Sequence, residues 1–125
     1  MIIGTGIDII EVKRIHEAHR RWGIKFLKKF LLPDEIEYCM KQSDPSPSIA
    51  ARFAGKEAVS KAFGVGICEK LNWHDLEITH HEHNRPVVKL HGKAEGLFSK
   101  LGCKSAHISL SHNKEQATAF AVLES

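Results

Sequence analysis

The sequence predicts an α+β fold, in which one compact domain packs a mixed or antiparallel sheet against a long central helix. Segments that alternate like strands and segments with helical spacing follow one another without a strict βαβ order. The chain has 125 residues, which suits a single domain with a single apolar core. We therefore assign residues 1–125 to one domain.

The N-terminal segment 2–10 is predicted to be a strand, because isoleucine recurs in it with a period of two. One face of this strand carries Ile3, Thr5, Ile7 and Ile9. The other face carries Gly4, Gly6, Asp8 and Ile10. Two glycines beside an aspartate leave space above the carboxylate, which suits a ligand that approaches the backbone.

Helical spacing predicts three helices in the first half of the chain. Apolar and aromatic residues recur every three or four positions over 11–31, where Gly23 weakens the helix. A second, short helix runs from Pro33 to residue 41, and a polar loop covers 42–48. An alanine-rich helix then spans 49–63 and ends at a glycine.

The second half of the chain is predicted to be mainly strands. Segments 71–79 and 87–90 have strand character and flank a polar turn, and 93–101 is a short helix. Segments 107–111 and 118–123 alternate around a turn and form a hairpin.

The composition is typical of a compact globular domain, and the distribution of charge favours an acidic partner. With 42% apolar and 26% charged residues it is neither disordered nor membrane-spanning, and no segment approaches ~20 apolar residues. No signal peptide begins the sequence, and three scattered cysteines predict reduced thiols, so we expect a cytoplasmic protein. Seven Lys and Arg against two Glu between residues 11 and 30 form a basic segment.

The helix over 49–63 carries the most informative charged residues. At 100° per residue, Glu57 and Lys61 fall on the predicted buried face among alanines, whereas Arg52 and Lys56 point largely the other way. A Glu–Lys pair at i, i+4 is ordinarily a solvent-exposed structural pair. On a buried face its charges need compensation, so the pattern alone leaves structural and functional interpretations equally open.

Asp8 presents a similar conflict, since it lies in a strand of isoleucine and glycine. It either caps the following helix or binds a ligand. Together, Asp8 and Glu57 offer two hard oxygen ligands, and Lys61 offers a positive charge for phosphate. Two carboxylates plus substrate phosphates commonly hold Mg²⁺, which serves phosphoryl-type transfer.

Three motifs carry a resemblance to a known family. They are Gly6-Ile7-Asp8-Ile9 with Glu11 and Arg14-Ile15, then Arg52-Phe53-Ala54-x-Lys56-Glu57-Ala58-x-x-Lys61-Ala62-x-Gly64, then Ser109-Leu110-Ser111-His112. In this order and spacing they resemble the holo-acyl-carrier-protein synthases, the short one-domain 4′-phosphopantetheinyl transferases. The resemblance runs from residue 2 to residue 124.

The resemblance implies an enzyme, a metal and a set of site residues. A serine of apo acyl carrier protein would attack the β-phosphate of coenzyme A, the co-substrate, and 3′,5′-ADP would leave. Asp8 and Glu57 would bind Mg²⁺, and Lys61 would contact the phosphates and protonate the leaving group. Glu57 and a metal-bound water are both candidates for the base. The implied nucleotide contacts are Arg52, Lys61, Gly64, Arg85, Pro86, Ser111 and His112.

The resemblance also implies two protein partners. A stripe at i, i+7, i+11 and i+14 would bind the acidic carrier protein, namely Arg14, Arg21, Lys25 and Lys28. The structural interpretation of this stripe is a solvated helix face. Family members are trimers with active sites between subunits, so we expect a homotrimer, and the carrier protein of fatty-acid synthesis is the favoured partner.

One local feature departs from the family's pattern, and a histidine cluster offers a second candidate metal site. The family usually has Phe-Thr where this chain has Leu31-Leu32, which removes a threonine N-cap that Asp34 could replace. The cluster of His80, His81 and His83 could bind zinc, although adjacent histidines in a turn share a metal poorly.

Two functions from other classes remain as alternatives. A small nucleic-acid-binding module would use the basic segment on phosphates and stack bases on Trp22 or Phe26. These aromatics fall at core spacing, and this hypothesis leaves the two carboxylates unexplained. A non-catalytic adaptor would bind carrier protein without chemistry, and its binding would survive the loss of Glu57.

Overall fold

The computed structural model describes residues 1–125, with the exception of the Glu82 side chain. Its first half contains strand β1 (Ile2–Glu11) and helices α1 (Val12–Trp22), α2 (Ile24–Lys28), α3 (Pro33–Met40) and α4 (Ser46–Ala62). Its second half contains β2 (Leu76–His80), β3 (Pro86–Leu90), α5 (Gly92–Lys100), β4 (Ser105–His112) and β5 (Gln116–Glu124). The predicted α+β class and the C-terminal hairpin are confirmed.

Two antiparallel sheets surround α4, where the sequence predicted one. The larger sheet has the strand order β1-β5-β4, and β2 pairs only with β3. Helix α4 packs across β1 and β5, and apolar clusters lie on both of its sides. Ala54 and Ala58 are completely buried in this interface, because small side chains let the helix approach the sheet. The predicted central helix is therefore confirmed.

The two glycines of β1 serve this close approach. A Cβ atom at Gly4 would collide with the backbone carbonyl of Ala62, and one at Gly6 with that of Ala58. The expectation that these glycines open space for a ligand is therefore wrong, since the backbone of α4 fills that space.

The helix predicted over 11–31 is interrupted at Gly23. This glycine has φ 61° and ψ −141°, and its N–H donates to the His19 carbonyl, so α1 ends there and α2 begins. Trp22, at the end of α1, is 58% exposed rather than in the core. Phe26 is partly buried and packs edge-on against Phe30 at 5.2 Å.

Other boundaries differ by a few residues for local reasons. Helix α4 begins at Ser46, three residues early, because Pro47 fits the first helical turn without a lost hydrogen bond. The strand predicted over 71–79 begins at Leu76, after a 3₁₀ turn at Trp73–Asp75.

All three cysteines are free. No described helix is both long enough and apolar enough to cross a membrane.

Candidate active site

The charged residues of α4 lie in two environments, and the sequence analysis assigned them the wrong way round. Arg52 and Lys56 are buried, at 2% and 0% exposure. Glu57 is only partly buried, and the side chain of Lys61 is 50% exposed. The amphipathic pattern is weak because α4 is covered on nearly all sides, so helical phase could not identify the accessible residues.

Asp8, Glu57 and Lys61 form a cluster between β1 and the C-terminal half of α4. The Lys61 ammonium donates to Asp8 Oδ1 at 3.1 Å and to the Ile7 carbonyl at 2.9 Å. Burial, followed by the negative charge of Asp8, raises the pKa of the Glu57 carboxyl, while Lys61 opposes this shift. The two carboxylates are therefore close enough to repel each other. Asp8 does not cap α1, whose N-cap has no side-chain hydrogen bond.

The donor set of this cluster fits a divalent cation. Asp8 and Glu57 supply hard carboxylate oxygens whose mutual repulsion a cation would relieve. Among the described residues, no group of three His, Cys, Asp or Glu side chains could hold a metal ion. Mg²⁺ is commonly held by one or two carboxylates together with substrate phosphates, so two carboxylates suffice for this type of site.

A second candidate subsite is a cavity of about 240 Å³ beside the middle of α4. Its walls include four of the side chains considered above, namely Arg52, His80, Pro86 and His112, together with Tyr38. The Arg52 guanidinium lies 4.3 Å above the Tyr38 ring and hydrogen-bonds Ser48 Oγ at 3.2 Å. Its other terminal nitrogen lies 3.3 Å from His80 Nδ1. Among the described atoms, buried Arg52 Nε has no hydrogen-bond partner.

His80 belongs to this cavity and was considered only as a zinc ligand in the sequence analysis. Its ring stacks on Tyr38 with centroids 4.6 Å apart and an interplanar angle of 14°. Burial, followed by the charge of Arg52, lowers the pKa of the His80 imidazole. The neutral ring can therefore accept a hydrogen bond from the guanidinium through Nδ1.

The other predicted nucleotide contacts do not line the cavity of this single chain. Gly64, Arg85 and Ser111 are all exposed, and Lys61 belongs to the cluster with Asp8. Gly64 follows α4 with φ 81°, a conformation that favours glycine, and so allows the chain to turn away after the helix. Ser111 precedes His112 on β4, and Arg85 precedes Pro86 at the start of β3.

The four predicted carrier-protein contacts are all exposed but do not lie on one helix. Arg14 and Arg21 are on α1, whereas Lys25 and Lys28 are on α2, beyond the break at Gly23. The continuous stripe inferred from i, i+7, i+11 and i+14 is therefore wrong, since it assumed a single uninterrupted helix.

Sequence reasoning missed a buried ion pair between Glu35 and Lys56, 2.7 Å apart. Glu35 also accepts the Leu32 N–H at 2.8 Å, so it performs the helix-capping contact that was assigned to Asp34. A glutamate at the third position of a helix is a known capping signal and could have been noticed. The pairing with Lys56 joins residues distant in sequence and left no local signal.

Comparisons with known proteins identify the class. Residues 4–121 match the 4′-phosphopantetheinyl transferase superfamily. A holo-[acyl-carrier-protein] synthase of Koribacter versatilis is 44% identical over 124 residues, with 99% of each chain covered. The chain belongs to the holo-[acyl-carrier-protein] synthase family of this superfamily, which confirms the resemblance seen in the motifs.

Solved structures agree with this assignment. The holo-[acyl-carrier-protein] synthase of Neisseria meningitidis has a TM-score of 0.92 at 30% identity, and all of both chains is covered. The Helicobacter pylori enzyme, solved in complex with coenzyme A, has a TM-score of 0.85 at 37% identity. In that comparison 96% of this chain and 99% of the other are covered.

Proposed function

We propose that this chain transfers the 4′-phosphopantetheine group of coenzyme A to a serine hydroxyl of apo acyl carrier protein. The serine oxygen bonds to the β-phosphorus, the bond from that phosphorus to the bridging oxygen breaks, and 3′,5′-ADP leaves. The cluster of Asp8, Glu57 and Lys61 carries this proposal, because it combines hard oxygen ligands with a positive charge. Membership of the family supports the reaction class.

The residues of the cluster have separate roles in this proposal. Asp8 and Glu57 hold Mg²⁺, which neutralises charge on the phosphates when it is bound. The half-exposed Lys61 exchanges its contact with Asp8 for one with the phosphates and donates a proton to the leaving group. The Glu57 carboxylate lies beside Asp8 in this cluster and is the proposed acceptor of the serine proton.

The cavity around Arg52 is the proposed site for the nucleotide end of coenzyme A. A guanidinium with an unused buried N–H offers charge-assisted hydrogen bonds to phosphate oxygens. Pro86 and His112 complete the walls of this cavity. Gly64, Arg85 and Ser111 remain proposed contacts, made from exposed positions around the nucleotide.

We propose that three copies assemble through the outer face of β1 and β5. Ile7 is 63% exposed and lies directly opposite Phe120, which is also exposed, and Ile9 continues this face along β1. An apolar surface on a paired sheet face is typical of a protein–protein contact. A neighbouring chain seated there would lie one residue from Asp8.

The remaining expectations complete the proposal. The exposed Arg14, Arg21, Lys25 and Lys28 bind the acidic carrier protein of fatty-acid synthesis, which they attract and orient electrostatically. Residues 1–125 act as one phosphopantetheinyl transferase domain, and the protein works in the cytoplasm.

Mass spectrometry of the carrier protein tests the function. Purified chain, apo acyl carrier protein, coenzyme A and Mg²⁺ should give a carrier protein heavier by one phosphopantetheine group, and EDTA should prevent this gain. No gain with several apo carrier proteins, from a chain that unfolds cooperatively, would overturn the proposal. If that chain instead bound oligonucleotides in a salt-sensitive way, the nucleic-acid alternative would be supported.

A further inference from the structure

The buried ion pair of Glu35 and Lys56 is unusually well connected. The two side chains are 2% and 0% exposed, and Lys56 Nζ lies 2.7 Å from Glu35 Oε1. The ammonium also donates to the carbonyls of Phe30, at 2.6 Å, and Trp73, at 3.2 Å. Its three N–H donors are thus all used within the protein, so Lys56 has none left for a substrate.

The Glu35 carboxylate contacts three separate elements. It accepts the Leu32 N–H at the start of α3 and the Ile78 N–H of β2, at 2.8 and 3.0 Å, while pairing with Lys56 of α4. A buried ion pair is weak evidence for stability, because desolvation offsets the attraction between the charges. Its directional contacts nevertheless fix the relative positions of α3, β2 and α4.

Each of these three elements supplies one of the three side chains that meet in the cavity, namely Tyr38, Arg52 and His80. Tyr38 lies one helical turn after Glu35 on α3, and Arg52 lies one turn before Lys56 on α4. His80 lies two residues after Ile78, on the same face of β2. Glu35 therefore connects the same three elements that carry the side chains of the cavity.

The arrangement around Arg52 is sensitive to small displacements. Its guanidinium lies 4.3 Å above the Tyr38 ring and 3.3 Å from His80 Nδ1, and the two rings stack at 4.6 Å. A hydrogen bond and a ring contact at these distances depend on geometry, so a displacement of any of the three elements would weaken them. We propose that Glu35 is a positioning residue that orients Arg52 for the phosphates of the nucleotide. This inference rests on the proposed function, since it concerns the nucleotide end of that site.

A double-mutant cycle tests whether Glu35 acts through Arg52. The dissociation constant of 3′,5′-ADP is measured by calorimetry, with Mg²⁺, on the full chain and on Glu35→Gln, Arg52→Met and the double variant. Glu35→Gln keeps the side-chain volume but loses one carboxylate acceptor. We expect it to weaken binding about tenfold in the wild-type background, and less than about twofold in the Arg52→Met background, because contacting residues are non-additive.

Three outcomes would overturn the inference. One is the same fold-loss from Glu35→Gln in both backgrounds, which indicates action independent of Arg52. The second is an unchanged dissociation constant. The third is a reduced number of binding sites at an unchanged dissociation constant, as expected if Glu35 only supports folding.

Controls separate this inference from folding and from the proposed function. Glu37→Gln is the matched control, since Glu37 is also on α3 but forms an exposed pair with Lys41, and it should leave binding unchanged. If Glu35→Gln does not unfold cooperatively, Glu35→Asp repeats the cycle with the counterion of Lys56 retained. A wild-type chain that neither binds 3′,5′-ADP nor modifies carrier protein would instead refute the proposed function itself.

Discussion

Helix α4 presents two pairs of charged side chains that differ in what compensates them. Lys56 is buried, and three protein oxygens accept its three N–H donors. Lys61 is half-exposed and donates to Asp8 and to the Ile7 carbonyl, while burial and the charge of Asp8 disfavour the ionised form of Glu57. A charge whose partners all lie within the protein serves the fold, whereas an incompletely compensated charge near solvent is available to a ligand.

The largest expected effect comes from removing the carboxylates at the exposed end of α4. Asp8→Asn and Glu57→Gln should each lower kcat/KM for coenzyme A by about 100-fold or more, because several kcal/mol of metal-dependent charge stabilisation are lost. Steady-state assays of holo carrier formation measure this. Glu17→Gln, an exposed change on α1, is the control and should retain activity. Near-normal turnover of Glu57→Gln would show that the cluster is not the reactive site.

Removing the buried ammonium should affect stability instead. Lys56→Met leaves Glu35 buried without its counterion and should lower the free energy of unfolding by about 3–5 kcal/mol. Lys61→Met breaks only a partly exposed pair and should cost less than about 1 kcal/mol. Urea denaturation followed by circular dichroism compares the two. Equal losses would contradict the distinction between the two ends of α4.

Reversing charge on α1 should affect only the protein substrate. Arg14→Glu with Arg21→Glu should raise KM for the carrier protein about tenfold and leave its value for coenzyme A unchanged, since exposed charges mainly steer association. The effect should shrink as ionic strength rises. Lys100→Glu with Lys104→Glu makes the same change of net charge at exposed positions outside the basic segment and is the control. The same loss from this control pair would indicate a non-specific effect.

The smallest effect concerns pH and His80 of β2, which contacts the buried Arg52 of α4. Because burial and Arg52 lower the pKa of His80 from its ordinary 6.5, the unfolded chain takes up a proton first as pH falls. Stability contributed by neutral His80 is therefore present at pH 8 and lost as pH falls below 6.5. His80→Phe should reduce the fall in melting temperature between pH 7 and pH 5. His81→Phe, a change at an exposed position, should leave that fall unchanged. An unchanged slope for His80→Phe would be inconsistent with this prediction.

The sequence predicted the exposed cluster better than the buried one. Asp8, Glu57 and Lys61 were selected by residue type and motif spacing, and the structure brings them together. The burial of Lys56 could not be predicted, because it depends on Glu35, 21 residues away in the chain. Nor did the period of two in β1 show that Gly4 and Gly6 accept the backbone of α4.

The same limit explains the error in the helical regions. The spacing of apolar residues continues through Gly23, so periodicity predicted one helix where the backbone makes two. Gly23 had been recognised as a weak point of the helix, but apolar periodicity alone does not show whether a glycine ends a helix, whereas buried partners depend on the tertiary structure.

The central claim is that the exposed charges of α4 are used by the substrate and not by the fold. Thermal unfolding of Lys61→Met with and without coenzyme A and Mg²⁺, beside the wild type, tests this claim most directly. We expect the variant to melt close to the wild type without ligand and to lose most of the stabilisation that ligand gives the wild type. Full ligand-dependent stabilisation of Lys61→Met would contradict the account.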